Sequence, residues 1–473
     1  MHELLFISAL VLVKLPPGGD GGGHCKTSVL AGGWFFWQEG SVPEAAVDHD
    51  DSPPERGVLD FAVIGGGASG FFAALRLKEL LPDKGVAIFE KGTRFLQKVA
   101  ISGGGRCNVT HACFDPAAMA ANYPRGGREL RGAFHRWQPA DTVAWFDRRG
   151  VKLKAEPDGR MFPITDSSDT VIQCFLQGAR EARITLHTGR ALRGLTRDAA
   201  GLFELDFGTD QPRVQARTVC VAAGSLKGNP LADVLRAIEL SIVPLVPSLF
   251  AFNVNDPRIT GLAGVSHPDV VVRRADGGAP RRGPILITHR GFSGPAILRL
   301  SAWEARELAA VNHHFSFLID WLPEMAAADI QRWMIENRNL NGAMRVRNRR
   351  PAPLPKRLWE SLLASCGIDV ETTWAQLGKA GALALAEALK ASRFEARGKT
   401  TNKDEFVTCG GLERLAVDFR TMRSRSVPGL YFAGEVIDID GVTGGFNFQA
   451  AWTTAHIAAT AAAEELARVK GEG

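Results

Sequence analysis

The chain has 473 residues, 45% hydrophobic and 23% charged, which excludes a disordered, fibrous or collagen-like protein and allows two or three packed domains. Its 56 Lys+Arg against 51 Asp+Glu leave +5, too small a surplus to diagnose a nucleic-acid binder by itself. The seven cysteines (25, 107, 113, 174, 220, 366, 409) form an odd set with no C-x-x-C pair. That speaks against a zinc ribbon, a disulfide scaffold and a dithiol redox motif, and for thiols in a reducing cytoplasm.

Met1 to Leu15 holds the apolar run Leu4 to Val13, which lacks a basic start and falls short of the about 20 residues a membrane span needs. Gly18 to Gly23, the acids of Asp48 to Asp51 and Pro53-Pro54 then give a composition that cannot bury enough apolar surface to order itself. Residues 1–57 are therefore expected to be a disordered leader, or to precede a true start near Val58.

Leu59 to Ile64 is a short apolar run that leads into Gly65-Gly66-Gly67-Ala68-Ser69-Gly70 and then into helical spacing from Phe71 to Leu81, ended by Pro82. In strand, turn, helix order, G-x-G-x-x-G has a mechanical meaning. Gly65 permits the tight turn, Gly67 lets backbone approach a pyrophosphate, and Gly70 lets the helix pack closely on the strand. A second strand, Val86 to Phe89, ends in Glu90, twenty residues beyond Gly70, where an acid suits the hydroxyls of a ribose. A bound dinucleotide is expected.

Ser102 to Asn108 comes next. Gly103, Gly104 and Gly105 leave no side-chain bulk, so backbone can lie against something flat or charged, a flavin above all. Arg106 suits either a flavin or substrate anion or a structural pairing with an internal carboxylate. Cys107 is a candidate proton donor, with an inert buried thiol as the plainer alternative. His111, His289, His313 and His314 lack the spacing of a metal site, and no metal is expected.

Farther on, Arg281-Arg282 and the group Arg345, Arg347, Arg349, Arg350, Lys356 and Arg357 suit either a phosphate backbone or a solvated face. At the tail, Gly429 to Glu435 reads as a buried strand stopped by a glycine and an acid. Gly444-Gly445-Phe446-Asn447 then opens a small-residue helix whose free N–H groups aim at something electron-rich.

With these segments in place the chain resembles the two-dinucleotide-fold flavoproteins, and among them the HI0933-like or YhiN/BaiN-like group, some members of which carry an aminoacetone oxidase label. The resemblance runs from about residue 59 to the end. It rests on VIGGGASG (63–70), SGGGRCNVT (102–110), GRMFP (159–163), GFSGP (291–295) and GLYFAGEVIDIDGVTGGFNFQA (429–450). It implies FAD, with Gly65, Gly67, Ala68, Ser69 and Gly70 at the pyrophosphate and Glu90 and Lys91 at the adenosine ribose. Ala223 and Gly224 would end a third strand beside the cofactor. Gly434 and Glu435 would meet the ribityl-diphosphate, and Gly445, Phe446 and Asn447 the isoalloxazine. The chain departs from the pattern at Gln97-Lys98 and at Thr408-Cys409-Gly410-Gly411-Leu412, which leaves the pocket lining open around Cys409.

The resemblance also implies an α/β fold: an FAD domain split into residues 58–228 and 396–473, with 229–395 inserted on the substrate side. Within the insertion, Leu245 to Ile287 has alternating short strands and Ala326 to Ala391 helical periodicity, so a β-barrel-like piece and a helical piece are expected. With a single G-x-G-x-x-G, NAD(P)H would serve only as a transient reductant, unless another protein or the substrate supplies the electrons. Three functions fit: reduction of an activated C=C bond in uridine of RNA or in an enone, oxidation of a small amine such as aminoacetone, and non-catalytic flavin and RNA binding.

Overall fold

The computed structural model describes residues 57–400 and 407–469, so the expected leader lies, but for its last residue, outside the described residues. Phe61 to Ile64 are buried without alternation, the signature of a strand covered on both faces of a parallel sheet. The front strand Leu59–Ile64 pairs in parallel with Val86–Phe89 on one side and Val214–Val221 on the other. Thr185–His187 extends the first side and Leu430–Phe432 the second, again in parallel. The sheet is thus completed by a strand from the far end of the chain. Antiparallel additions finish it: Val417–Asp418 with Arg423–Ser424 at the Leu430 edge, and the hairpin Gly194–Arg197 with Phe203–Asp206 on Val214–Val221.

Parallel neighbours need a crossover, and the front helix Ala68–Leu80 supplies the first. Its residues Ser69 to Leu75 and Leu77 are all buried, because it lies between the sheet and the tail helix Phe446–Val469. Phe72 meets Trp452 (centroids 5.5 Å apart), and Arg76 Nε donates to Thr460 Oγ1 (3.3 Å). Chain order departs in opposite directions from the front strand, so the carboxyl ends of Leu59–Ile64 and Val214–Val221 form the crevice where open α/β sheets bind ligands.

A second sheet of seven strands spans residues 251–400. Its two edges are Ser392–Arg397 and Lys399–Thr400, successive stretches of chain joined at Gly398. The sheet therefore closes on itself as a small barrel. Gly398 (φ 89°) makes the corner, donating to His313 O and accepting from Asn253 N. Phe252, Phe292, Phe317, Trp321 and Phe394 fill the interior. The helices Ala327–Leu340, Lys356–Ser365 and Lys379–Lys390 pack on it through Trp359, Leu358 and Leu385, with Trp333 edge-on to Trp359 and Trp374. Ile242–Ser248 and Val407–Leu412 form a separate antiparallel pair. The α/β class, the Rossmann-type sheet and the separate sheet with its helices all match expectation. No helix among the described residues is long and apolar enough to cross a membrane.

Candidate active site

The front turn is shaped by close approaches that only glycine permits. Gly65 has φ 115°, and a Cβ there would sit 2.5 Å from Ala222 O; a Cβ at Gly70 would sit 1.9 Å from Gly65 O. Gly67 differs: it caps the helix with no side-chain hydrogen bond, and no atom lies within 4 Å of its Cβ position. The first-turn amides of Ala68, Ser69 and Gly70 have no acceptor within the helix, and no acid stands in that turn. This is an open, electropositive helix start.

Glu90 faces the same turn. Its Oε2 accepts from Gly66 N (2.8 Å) and its Oε1 from Gly92 N (2.8 Å), which fixes the carboxylate while leaving each oxygen a further lone pair. Lys91 beside it is exposed. Ala223 abuts Gly65, and a Cβ at Gly224 (φ 66°) would sit 3.7 Å from Glu435 Oε2 and 4.0 Å from Lys98 Nζ. Lys98 and Glu435 are themselves an ion pair (2.5 Å), and Glu435 Oε1 accepts from Thr408 N (3.0 Å). Gly434 meets Ser69 Oγ, and its N–H donates to Thr454 Oγ1 (2.8 Å). Front turn, third strand end and tail strand end therefore share one corner.

The glycine triple continues the open surface. Gly103, Gly104 and Gly105 all have positive φ (58°, 69° and 82°) and are exposed. A Cβ at Gly103 would strike Phe162 (2.9 Å), whereas Gly104 and Gly105 have nothing within 4 Å.

The two candidate catalytic residues are placed otherwise. Arg106 Nη1 pairs with Glu156 (2.7 Å) and Asp166 (3.5 Å), and its guanidinium lies over Phe162 (3.9 Å), so it takes the structural role rather than that of a free anion clamp. Cys107 is 0% exposed. Burial pushes its thiol up to about 12, against the opposing hydrogen bond with Ser102, and its φ of 61° makes it the end of the glycine turn.

The start of the tail helix is packed rather than open. Gly445 N donates to the Asn108 side-chain oxygen (3.0 Å), with that amide oriented to satisfy both neighbours. Phe446 stacks on His111 (4.6 Å) and stands edge-on to Tyr123, whose hydroxyl donates to Phe446 O (2.5 Å). Asn447 closes a ring with Gly441, accepting from its N (2.8 Å) and donating to its O (2.9 Å). The rings and amides expected at an isoalloxazine are thus bound to protein; of this trio only backbone N–H groups of Phe446 and Asn447 remain for a ligand.

Sequence reasoning missed the carboxylates that brace this loop. Asp438, 3% exposed at its side chain, takes both Arg306 (2.8 and 2.9 Å) and Arg414 (2.6 Å). Asp440 takes Arg125 Nε (2.6 Å) and Ser248 Oγ (3.0 Å), and Arg125 Nη1 reaches Ala302 O (2.5 Å). Burial raises the Asp440 carboxyl and the Arg125 guanidinium opposes that. The acids stood in plain view in GEVIDIDG; their partners, up to 315 residues away, did not. Of the basic cluster, Arg345 and Arg347 are drawn to Glu371, and among the described residues no group of His, Cys, Asp or Glu is gathered as a metal site.

The residues fit FAD. Gly67, Gly104 and Gly105 leave cradles that a Cβ would fill, and the uncapped helix start and the held Glu90 supply donors and acceptors for pyrophosphate and ribose.

A family model described as HI0933-like protein Rossmann domain matches residues 59–461. The chain is similar to a ribosomal RNA dihydrouridine synthase of Escherichia coli (strain K12), 29% identical over 407 residues that make up 84% of this chain and 96% of that protein. It is similar also to a 3-dehydro-bile acid delta(4,6)-reductase of Clostridium scindens, 27% identical over 411 residues, 85% and 98% of the two chains. Among solved structures, a 3-ketosteroid delta1-dehydrogenase from Sterolibacterium denitrificans is 12% identical with a TM-score of 0.46, over 86% of this chain and 100% of that one. With its front turn, the ends of its parallel strands and the start of its tail helix inside the matched span, the chain belongs to the HI0933-like family of FAD-dependent oxidoreductases.

Proposed function

We propose that the protein reduces an electron-poor carbon–carbon double bond, with uridine in RNA as its substrate class. The observation that carries this reading is that two relatives with unlike substrates, a nucleoside in ribosomal RNA and a bile acid, are named for the same bond change. Bound FAD would supply hydride from its N5 to one carbon of that bond. The chain's own residues bind and orient. The amides of Ala68, Ser69 and Gly70 take the pyrophosphate, Gly67 lets it approach, and Glu90 takes the ribose hydroxyls. Gly224 and the Lys98–Glu435 pair flank the ribityl chain, while Gly104 and Gly105 leave a flat face. The tail helix start offers its Phe446 and Asn447 amides to the electron-rich edge of the flavin. Proton delivery to the neighbouring carbon does not pass through Cys107.

NAD(P)H in transient contact is the proposed reductant, since the chain has a single dinucleotide fingerprint. The FAD domain is proposed to comprise 58–228 and the chain beyond the second sheet's last strand at Thr400, with the intervening stretch on the substrate side. The test is anaerobic: photoreduced holoprotein is mixed with a uridine-containing ribosomal RNA fragment or with a conjugated enone steroid, and flavin reoxidation is followed. Acceleration by the RNA supports the reading, acceleration by the enone alone changes the substrate, and acceleration by neither removes it.

A further inference from the structure

A cleft of about 260 Å³ lies beside the tail helix start. One wall is Asn122 and Val442, tied by Val442 N donating to Asn122 O (2.9 Å); Val442 stands two residues before Gly444. The other wall comes from the strand Arg281–Thr288 and the helix Pro295–Trp303 of the second sheet, with Arg281, Arg282, Arg299 and Trp303.

These three arginines are not equivalent. Arg282 is engaged by Asp269 (2.6 Å) and Glu324. Arg299 Nη1 donates to Arg282 O (2.9 Å) and has no carboxylate at ion-pair distance among the described residues. Arg281 likewise has none, although Glu304 stands nearby. Its guanidinium lies over the Trp303 ring at 4.3 Å, and its Nε is buried with no acceptor among the described residues. An unmet buried donor on a cation is costly, and two un-neutralised guanidiniums on one cleft repel each other. Both costs fall when an anion with several acceptor oxygens enters, and the planar forks suit phosphate or carboxylate. A polynucleotide brings a phosphate next to every nucleotide, so a uridine extruded toward the flavin carries one into a cleft beside it.

We propose that Arg281 and Arg299 clamp a phosphodiester of the RNA substrate, with Trp303 holding the Arg281 guanidinium in place, so that the adjacent nucleotide is presented at the tail helix start. The inference rests on the RNA-reduction reading and adds the place where the strand is held. The experiment measures binding of a fluorescein-labelled, uridine-containing single-stranded RNA to FAD-loaded protein across a salt series. Arg281→Ala and Arg299→Ala should each weaken binding about tenfold and lower the log–log salt slope by about one, at unchanged FAD content. Arg281→Lys should recover the slope and only part of the affinity, because the charge returns without the stacked fork. Arg213→Ala, at an exposed position just before the strand Val214–Val221 and paired with Glu204, should leave both unchanged. Wild-type affinity and slope in the Arg281 and Arg299 variants would overturn the clamp while the reduction reading stands. A wild-type protein that neither binds RNA nor is reoxidised by it ends both. Competition at Arg281 by a steroid carboxylate, with no RNA binding, would assign the cleft to a small acid and overturn the phosphodiester.

Discussion

The two glycine-lined helix starts look alike in sequence and are opposites in structure. At the front, Gly67 faces open space and the first-turn amides have no acceptor within the helix and no side-chain cap. At the tail, Gly445 is tied to Asn108, Phe446 is stacked on His111, and Asn447 is locked to Gly441. A glycine motif therefore marks two different needs. One is room for a ligand against backbone; the other is room for one stretch of protein against another, as the 2.4 Å gap between a Gly445 Cβ and Thr110 O shows.

The largest break in this contrast should come from the tail brace. Arg125→Met would leave Asp440 buried with Ser248 as its remaining side-chain partner, and the expected loss is about 3–5 kcal/mol by urea unfolding. At the front, two neighbouring substitutions should separate. Gly70→Ala drives a methyl into Gly65 O and should cost about 3 kcal/mol of stability, whereas Gly67→Ala meets open space and should fold normally while weakening FAD binding about tenfold. Equal behaviour of the two variants would mean that Gly67 is not where a ligand approaches.

Asn447→Ala sharpens the other side. It removes two hydrogen bonds to Gly441 and should cost about 1–2 kcal/mol in stability with little change in flavin content; loss of flavin without loss of stability would place the amide on the cofactor after all. The smallest effect belongs to Cys107→Ser, a near-isosteric change at an enclosed thiol. Turnover with an alkene substrate should stay within about twofold, and a collapse of turnover in folded, flavin-loaded protein would restore Cys107 to the chemistry.

What was legible in the sequence was local. Leu59 to Leu81 carries its own strand, turn and helix signals within about twenty residues, and Asp276-Gly277-Gly278, residues that favour a turn, separate Ser266–Arg274 from Arg281–Thr288. The role of Arg106 was not legible, because Glu156, fifty positions on, reaches it only through the short strand pairing of Thr110 with Met161. A barrel-like piece was legible, but not the strands Ser392–Arg397 and Lys399–Thr400 that close it, which depend on a corner at Gly398 and on pairing between strands nearly 150 residues apart. The tail helix start could be read as a helix start, but not that Asn108, His111 and Tyr123 pack around its turn and first ring, since those partners lie more than 320 residues upstream.

One corner, where Gly67, Glu90, Gly224 and Glu435 gather, is the proposed seat of a flavin adenine dinucleotide. Titrating flavin-stripped protein with FAD and reading bound flavin by absorbance and by release on heating tests it directly. The expected result is a yellow protein that saturates at one FAD per chain; a folded chain that stays colourless at saturating FAD would mean that the corner holds no flavin.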